Sequence, residues 1–264
     1  MHKLGLKLWS INTDYYYDEA IRLYNDGIFD YIELYVVPNS TETIDKWKKI
    51  NIPFSLHAPH FLHEVNLADV NKFDYNMQIY KQVSKFANEL NAEYIVVHGG
   101  IQGSVDEIIR QFNIIQSNCS SEMVIENKPY KAPIGENRFC RGANVEEIKK
   151  IVNDTNCRFC LDIGHAVCSA NYFGYEPYSY IQQYNELNPL CYHFSDNDIT
   201  SIIDKHEHFG QGNFDFNKIL EIINDNTNIA VETKKNSKTD LNDFNKDCEY
   251  LKHINLDLAK SGGY

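Results

Sequence analysis

Residues 94–98 read YIVVH and residues 158–162 read RFCLD, so each segment is a nearly continuous apolar run that ends in an imidazole or a carboxylate. Continuous apolar runs are typical of parallel strands that are buried on both faces. Comparable runs recur along the chain with helical patterns between them. They predict strands at residues 4–9, 31–35, 53–57, 94–98, 123–126, 158–162, 190–194 and 229–232.

The segments between these runs have the pattern of amphipathic helices. Ile108, Phe112 and Ile115 form one apolar stripe, and Asn144 precedes two glutamates as a helix N-cap would. Helices are predicted at residues 16–25, 41–49, 71–91, 105–117, 145–153, 178–185, 214–224 and 241–253.

The alternation of strand and helix predicts an α/β fold and indicates how the domain is organised. Eight such units without a linker rich in Pro, Gly or Ser favour a single (β/α)8 TIM barrel over residues 1–258. A doubly wound open sheet is the alternative. Residues 259–264 lack an apolar period and are expected to form a disordered tail.

Charge and composition limit the classes of partner. With 25 Lys and Arg against 37 Asp and Glu, the net charge is −12, so nucleic acid is left open but is not favoured. No apolar run approaches the ~20 residues of a membrane span, and the first residues lack a signal-peptide pattern, so a cytoplasmic protein is expected. Cys157 and Cys160 form a C-x-x-C within a predicted strand, and we interpret them as core residues.

Polar side chains end six consecutive predicted strands. In a barrel, these strand ends lie at the same rim, where active sites are built. Buried imidazoles and carboxylates need cations to pair with them, and they are ligands for zinc and similar ions. Asp204 and His206, two residues apart in a loop, point the same way if the loop is extended. The strand-end residues are His57, His98, Glu126, Asp162, His193 and Glu232, with His165 three residues after Asp162.

These motifs, taken in order, resemble the endonuclease IV and xylose isomerase-like TIM-barrel superfamily. The order and spacing match from the third strand to the eighth, and the combination is much more specific than any single motif. The matching runs are HAP at 57–59, VHGG at 97–100, IEN at 125–127, LDIGHA at 161–166, HFSDN at 193–197, DKH at 204–206, GQGN at 210–213 and VET at 231–233.

The resemblance to endonuclease IV implies three zinc ions. The first would be held by His57 and His98, with Glu126 bridging to the second. The second would be completed by Asp162, His193 and Glu232, and the third would be held by His165, Asp204 and His206. The related sugar isomerases and epimerases use one metal ion, Mn²⁺, Mg²⁺ or Co²⁺, at the positions of Glu126, Asp162, His193 and Glu232, so this alternative stays open.

The number of ions decides which chemistry is expected. Clustered ions favour phosphoester hydrolysis by metal-activated water, and the chain has no G-x-S-x-G, P-loop or G-x-G-x-x-G motif. One ion favours proton transfer beside a sugar carbonyl, with Glu126 and Glu232 as the acid/base pair. These two residues are therefore the catalytic candidates. An inactive metal-binding barrel is the third alternative.

The substrate is expected to be small or single-stranded. The loop at residues 35–40 has no Arg, and Phe61 and Leu62 offer only a weak candidate for a wedge that enters DNA. Glu33 resembles the second-strand Glu of sugar-active members, which contacts the substrate. An equally supported interpretation is that Glu33 lies inside the barrel and pairs with a lysine such as Lys7. We expect a phosphoester or sugar phosphate rather than abasic duplex DNA.

The densest positive segment is the connection at residues 127–142. It carries Lys128, Lys131, Arg138 and Arg141 directly after Glu126. Basic side chains beside a metal cluster suit a phosphate group. Lys128, Arg138 and Arg141 are therefore predicted to bind substrate, as is Glu33. A solvated loop without this role is the alternative.

Overall fold

The computed structural model describes residues 2–132, 135 and 137–261, with side chains described as far as residue 254. It confirms the (β/α)8 TIM barrel, because eight parallel strands pair in chain order and the last pairs with the first. The strands are β1 Lys3–Trp9, β2 Tyr31–Tyr35, β3 Phe54–His57, β4 Tyr94–His98, β5 Glu122–Glu126, β6 Arg158–Asp162, β7 Cys191–Phe194 and β8 Asn228–Val231.

Helices pack around the barrel, and none of those in the described ranges has the length and apolar character needed to cross a bilayer. Short 3₁₀ turns lie at Thr41–Thr43, Phe61–His63 and Val70–Lys72. The helices are α1 Tyr17–Asn25, α2 Ile44–Trp47, α3 Phe73–Leu90, α4 Val105–Gln116, α5 Val145–Thr155, α6 Ile163–Phe173, α7 Pro177–Asn185, α8 Phe216–Ile222 and α9 Asn242–Ser261.

Two features differ from the sequence prediction. Helix α6 follows β6 directly and was not predicted, because its residues from Ile163 to Ala170 are all buried and show no amphipathic period. Helix α9 continues to Ser261, so the first three residues of the expected tail are helical in backbone. The remaining residues of that tail, 262–264, lie outside the described residues.

The strands present alternate residues to two different cores. Outward residues such as Leu34 and Val97 belong to the large core under the helices. Inward residues fill the lower barrel, where Val96 and Val124 pack with Cys160 and Cys191. The interpretation of the C-x-x-C as core is confirmed, since Cys157 and Cys160 are buried free thiols.

Gly5 leaves room for an aromatic ring inside the barrel. It pairs with Tyr31 across β1 and β2, and a Cβ on Gly5 would overlap the ring of Tyr31. Tyr31 is itself buried, so the ring has little space to retreat. The small residue is therefore a packing requirement.

We expect Gly5→Ala to destabilise the protein by about 1–3 kcal/mol, because it overpacks the barrel interior. Urea unfolding measures this cost. In a Tyr31→Ala background the same substitution should cost less, since the overlapping ring is gone. An equal cost in both backgrounds would show that the ring is not the reason for the glycine.

Candidate metal centre

The closed barrel brings the polar strand ends together at one rim. His98 at the end of β4 is in register with Glu126 of β5, and Asp162 of β6 is in register with His193 of β7. Glu232 follows β8 directly. We call Glu126, Asp162, His193 and Glu232 the barrel group.

The carboxylate of Glu126 is the centre of the cluster. Its Oε2 lies 3.1 Å from His57 Nε2 and 2.8 Å from His98 Nε2. Its Oε1 lies 3.0 Å from His165 Nδ1 and 3.4 Å from the ammonium of Lys128. The side chain is buried, so these neighbours must balance its charge. Contacts on both oxygens suit a carboxylate that bridges two cations.

The protonation states around Glu126 suit metal binding. Burial opposes the charged carboxylate, but His98 and Lys128 hold the pKa of Glu126 well below its usual value. Burial also lowers the pKa of His57 and that of His98, which favours the unprotonated rings that bind metal ions. His57 Nδ1 lies 2.8 Å from the carbonyl oxygen of Ala58, which leaves Nε2 as the acceptor that faces the cluster.

Glu33 lies in the barrel interior beside the barrel group. Its carboxylate is 2.6 Å from Lys7 Nζ and 3.0 Å from His193 Nε2. The pairing with Lys7, one of the two interpretations of Glu33, is confirmed. Lys7 also pairs with Glu232, whose Oε1 lies 3.1 Å from His193 Nδ1. A lysine therefore pairs with two carboxylates beneath the rim.

His193 is charged in this arrangement. Burial lowers its pKa, but Glu232, Glu33 and Glu126 together raise it to about 10. A divalent ion that binds this ring has to displace its proton, because a metal-bound imidazole nitrogen cannot be protonated. Burial raises the pKa of Asp162 to about 6.

A second set of candidate ligands lies where α6 meets the loop after β7. Asp204 Oδ2 is 2.9 Å from His206 Nε2 and 3.5 Å from His165 Nε2. Burial lowers the pKa of His206, but Asp204 raises it to about 9. His206 has a φ of 50°, a left-handed conformation that is uncommon outside glycine. We call His165, Asp204 and His206 the loop group.

Asp196, which the motif matches alone did not identify as a site residue, holds this loop in place. Its buried carboxylate accepts hydrogen bonds from the backbone N–H groups of Gly210 at 2.9 Å, Gly212 at 3.0 Å and Phe214 at 3.2 Å. A Cβ on Gly212 would overlap both this carboxylate and the carbonyl of Asn197. The GQGN run therefore lets the chain pass close to Asp196.

Asn127 is a second residue that the sequence analysis missed. Its amide donates to the Asp162 carbonyl at 2.9 Å and accepts from the Asp162 N–H at 2.7 Å. The side chain thus continues the ladder between β5 and β6 beyond the last paired residues. Its own carbonyl lies 3.0 Å from His165 Nδ1, so Asn127 positions members of both groups.

The donor atoms fit a set of divalent ions. Four groups have all their donor atoms within 4.8 Å of one another, and together they include every predicted ligand except His98, with Glu33 added. In the described part of the chain, the buried Nδ1 atoms of His98 and His206 have no hydrogen-bond partner. Imidazole and carboxylate donors suit zinc. The groups are His57–Glu126–His193, His165–Asp204–His206, Glu33–His193–Glu232 and Glu126–Asp162–His165.

A cavity of about 670 Å³ opens above the cluster. Trp9, Tyr16 and Tyr35 line one side, and Trp9 is 46% exposed. Three lysines after β8 line the cavity as well, so the positive charge is not restricted to the connection after Glu126. The run KKNSK was the sequence signal for these rim lysines, which are Lys234, Lys235 and Lys238.

The predicted substrate-binding residues separate in the structure. Lys128 lines the cavity, but Arg138 lines a different cleft with Asn66. Arg141 donates to the carbonyls of Gln102 and Gly103 and pairs with a glutamate of α5. Its guanidinium is occupied in fixing loops, so the structure does not bring Arg138 and Arg141 to the cavity beside Lys128, and their role in substrate binding stays a prediction.

The candidate wedge residues have ordinary loop environments. Phe61 packs against a small cluster formed by Ile101, Ala132 and Cys140. Leu62 is 60% exposed. His60, which the motifs did not single out, stacks its ring on His98 at a centroid distance of 4.9 Å, and burial lowers its pKa to about 2.

The sequence profile of the xylose isomerase-like TIM barrels matches residues 25–254. The chain belongs to this family. The chain is 22% identical to a probable endonuclease 4 of Mycoplasma mycoides over 204 residues. This aligned segment covers 70% of this chain and 68% of that protein. The resemblance drawn from the motifs is confirmed at the level of the family.

Solved structures agree with this xylose isomerase-like fold. A D-tagatose 3-epimerase-like protein superposes with a TM-score of 0.72 at 20% identity, over 98% of this chain and 99% of that one. Endonuclease IV from Thermus thermophilus gives 0.69 at 18% identity, over 95% and 99%. At these identities the similarity shows the fold alone.

We expect Asp196→Asn to loosen the loop group, because the new amide donates where backbone N–H groups need acceptors. Each hydrogen bond to a charged group is worth about 1.5–3 kcal/mol. Hydrogen exchange at residues 204–214 should accelerate and thermal stability should fall. Asp198→Asn is the matched control, since that carboxylate is exposed in the same loop. Equal protection in both variants would contradict the role of Asp196.

Proposed function

We propose that this xylose isomerase-like barrel is a metal-dependent phosphoester hydrolase with a multinuclear, zinc-type centre. The main support for this proposal is the loop group, which lies next to Glu126 at the centre of the cluster. A single-metal isomerase needs only the barrel group. The additional ligands at His57, His98 and the loop group are those implied by the resemblance to endonuclease IV.

When bound, divalent ions would polarise phosphoryl oxygens and lower the pKa of a coordinated water. The chain supplies the other requirements. Lys128 and the rim lysines place positive charge around a phosphate that enters the cavity. The Trp9 and Tyr35 rings, 5.3 Å apart between centroids and tilted by 32°, give an aromatic wall suited to a sugar or base ring.

The cavity favours a small or single-stranded substrate over abasic duplex DNA. Its basic side chains surround one mouth instead of following a track across the surface, as duplex binding requires. Phe61 is packed into the protein, and Arg141 is engaged with loop carbonyls. Of the two candidate wedge residues, Leu62 alone is left exposed.

Metal-loaded protein should hydrolyse chromogenic phosphodiesters or release phosphate from small phosphoesters, and this activity should be lost on chelation. A duplex with one abasic analogue should not be nicked efficiently. Nicking at the lesion without turnover of small substrates would make the protein a repair endonuclease. No turnover of any substrate, despite full metal loading, would support an inactive barrel.

A second candidate is a sugar or sugar-phosphate isomerase or epimerase. The position of Glu33, which faces His193 from inside the barrel, favours it. Glu126 and Glu232 would then act as the acid/base pair beside one ion. A panel of ketose and aldose phosphates separates the candidates, because isomerisation changes the sugar without releasing phosphate.

Glu126→Gln should lower the rate of hydrolysis by more than about 100-fold. Mutation of residues that only hydrogen-bond to a metal ligand already lowers metal affinity or activity by about 10–100-fold. Its fold should persist, because the barrel core does not depend on this side chain. Glu122→Gln, at the exposed start of β5, is the matched control. Activity assays together with circular dichroism test both statements. An unfolded variant would make Glu126 a structural residue.

A further inference from the structure

The ammonium of Lys128 lies inside the candidate metal cluster. The residue is only 7% exposed. Its Nζ is 3.1 Å from His165 Nε2, 3.4 Å from His98 Nε2 and 3.4 Å from Glu126 Oε1. Lys128 therefore contacts ligands of all three implied ions: His98 of the first, His165 of the third, and Glu126, which bridges the first and the second.

The local chain explains this position. Lys128 follows Glu126 by two residues, so the two side chains project the same way from an extended segment. The Lys128 N–H donates to the Gly142 carbonyl at 2.9 Å, and its carbonyl accepts from the Ser169 hydroxyl at 3.0 Å. Both backbone groups are fixed, which directs the ammonium to the cluster.

An ammonium and a metal ion compete for the same carboxylate oxygens and for the same space. His98 Nε2 lies 2.8 Å from Glu126 Oε2, and a carboxylate oxygen only accepts, so this nitrogen holds the ring proton, and an ion would have to displace it beside the Lys128 ammonium, 3.4 Å away. Zinc binds imidazole nitrogen at about 2.0–2.1 Å, so an ion bound to Nε2 on the side of Lys128 would collide with Nζ. His98 is also the one predicted ligand that joins no group of converging donors.

We propose that the Lys128 ammonium takes the place of the ion that His98 would otherwise help to hold, so that the centre binds two divalent ions and not three. The inference rests on the proposed function, because it assumes that these ligands bind metal. The loop group remains one ion site, because its three donor atoms converge although Lys128 Nζ lies 3.1 Å from His165 Nε2, and the barrel group remains the other. Lys128 supplies the positive charge that the third ion would otherwise bring.

The test is a count of bound zinc. Wild-type protein and Lys128→Ala are saturated with zinc, freed of excess by gel filtration and measured by elemental analysis against protein concentration. We expect two ions in the wild type and three in Lys128→Ala, in which the space beside His98 is released. Lys238→Ala is the matched control, because it removes an exposed lysine of the same cavity and should keep two ions.

The outcomes separate this inference from the proposed function. Three ions in the wild type, or two in both the wild type and Lys128→Ala, would overturn the inference and leave a multinuclear hydrolase in place. At most one ion in either protein would overturn both. A wild-type count of three overturns the inference even if Lys128→Ala folds poorly, and Lys128→Arg, which retains the charge, should keep two ions.

Discussion

A buried carboxylate that must remain charged is the constraint on which the rim of this barrel depends. Glu126 lies at the end of β5 without access to water, and neighbouring strands have to supply its counter-charges. His57, His98 and His165 contact its two oxygens, and Lys128 adds a full positive charge. Because removing one partner from a buried ionic network is costly, each of these side chains constrains the others.

The constraint extends to loops that do not contact Glu126. Asp196 fixes the course of the chain around the loop group through backbone N–H groups, and Asn127 joins β5 to β6 through the backbone of Asp162. Such residues contribute no ligand atom. They set the positions of the ligands to within a fraction of an ångström, which a metal centre requires.

The sequence predicted the strands well because parallel strands leave continuous apolar runs, and three of the eight were located to the residue. It also predicted which side chains meet at the rim, because a closed barrel brings all strand ends together. Helix α6 was missed since burial on every face erases its period. The burial of Lys128 within the cluster and the hydrogen bonds of Arg141 to loop carbonyls were not predictable. Both depend on contacts between loops that are distant in sequence.

Lys7 has a consequence for the order in which the molecule is assembled. Its ammonium, pairing with Glu33 and Glu232 beneath the rim, provides an internal counter-ion where a metal would otherwise have to offset two carboxylates. Small zinc domains are unfolded until the metal binds, because nothing else offsets the free-energy cost of bringing their ligands together. This barrel carries its own cations, so we expect it to fold without metal, and ions would then enter through the open mouth of a finished scaffold.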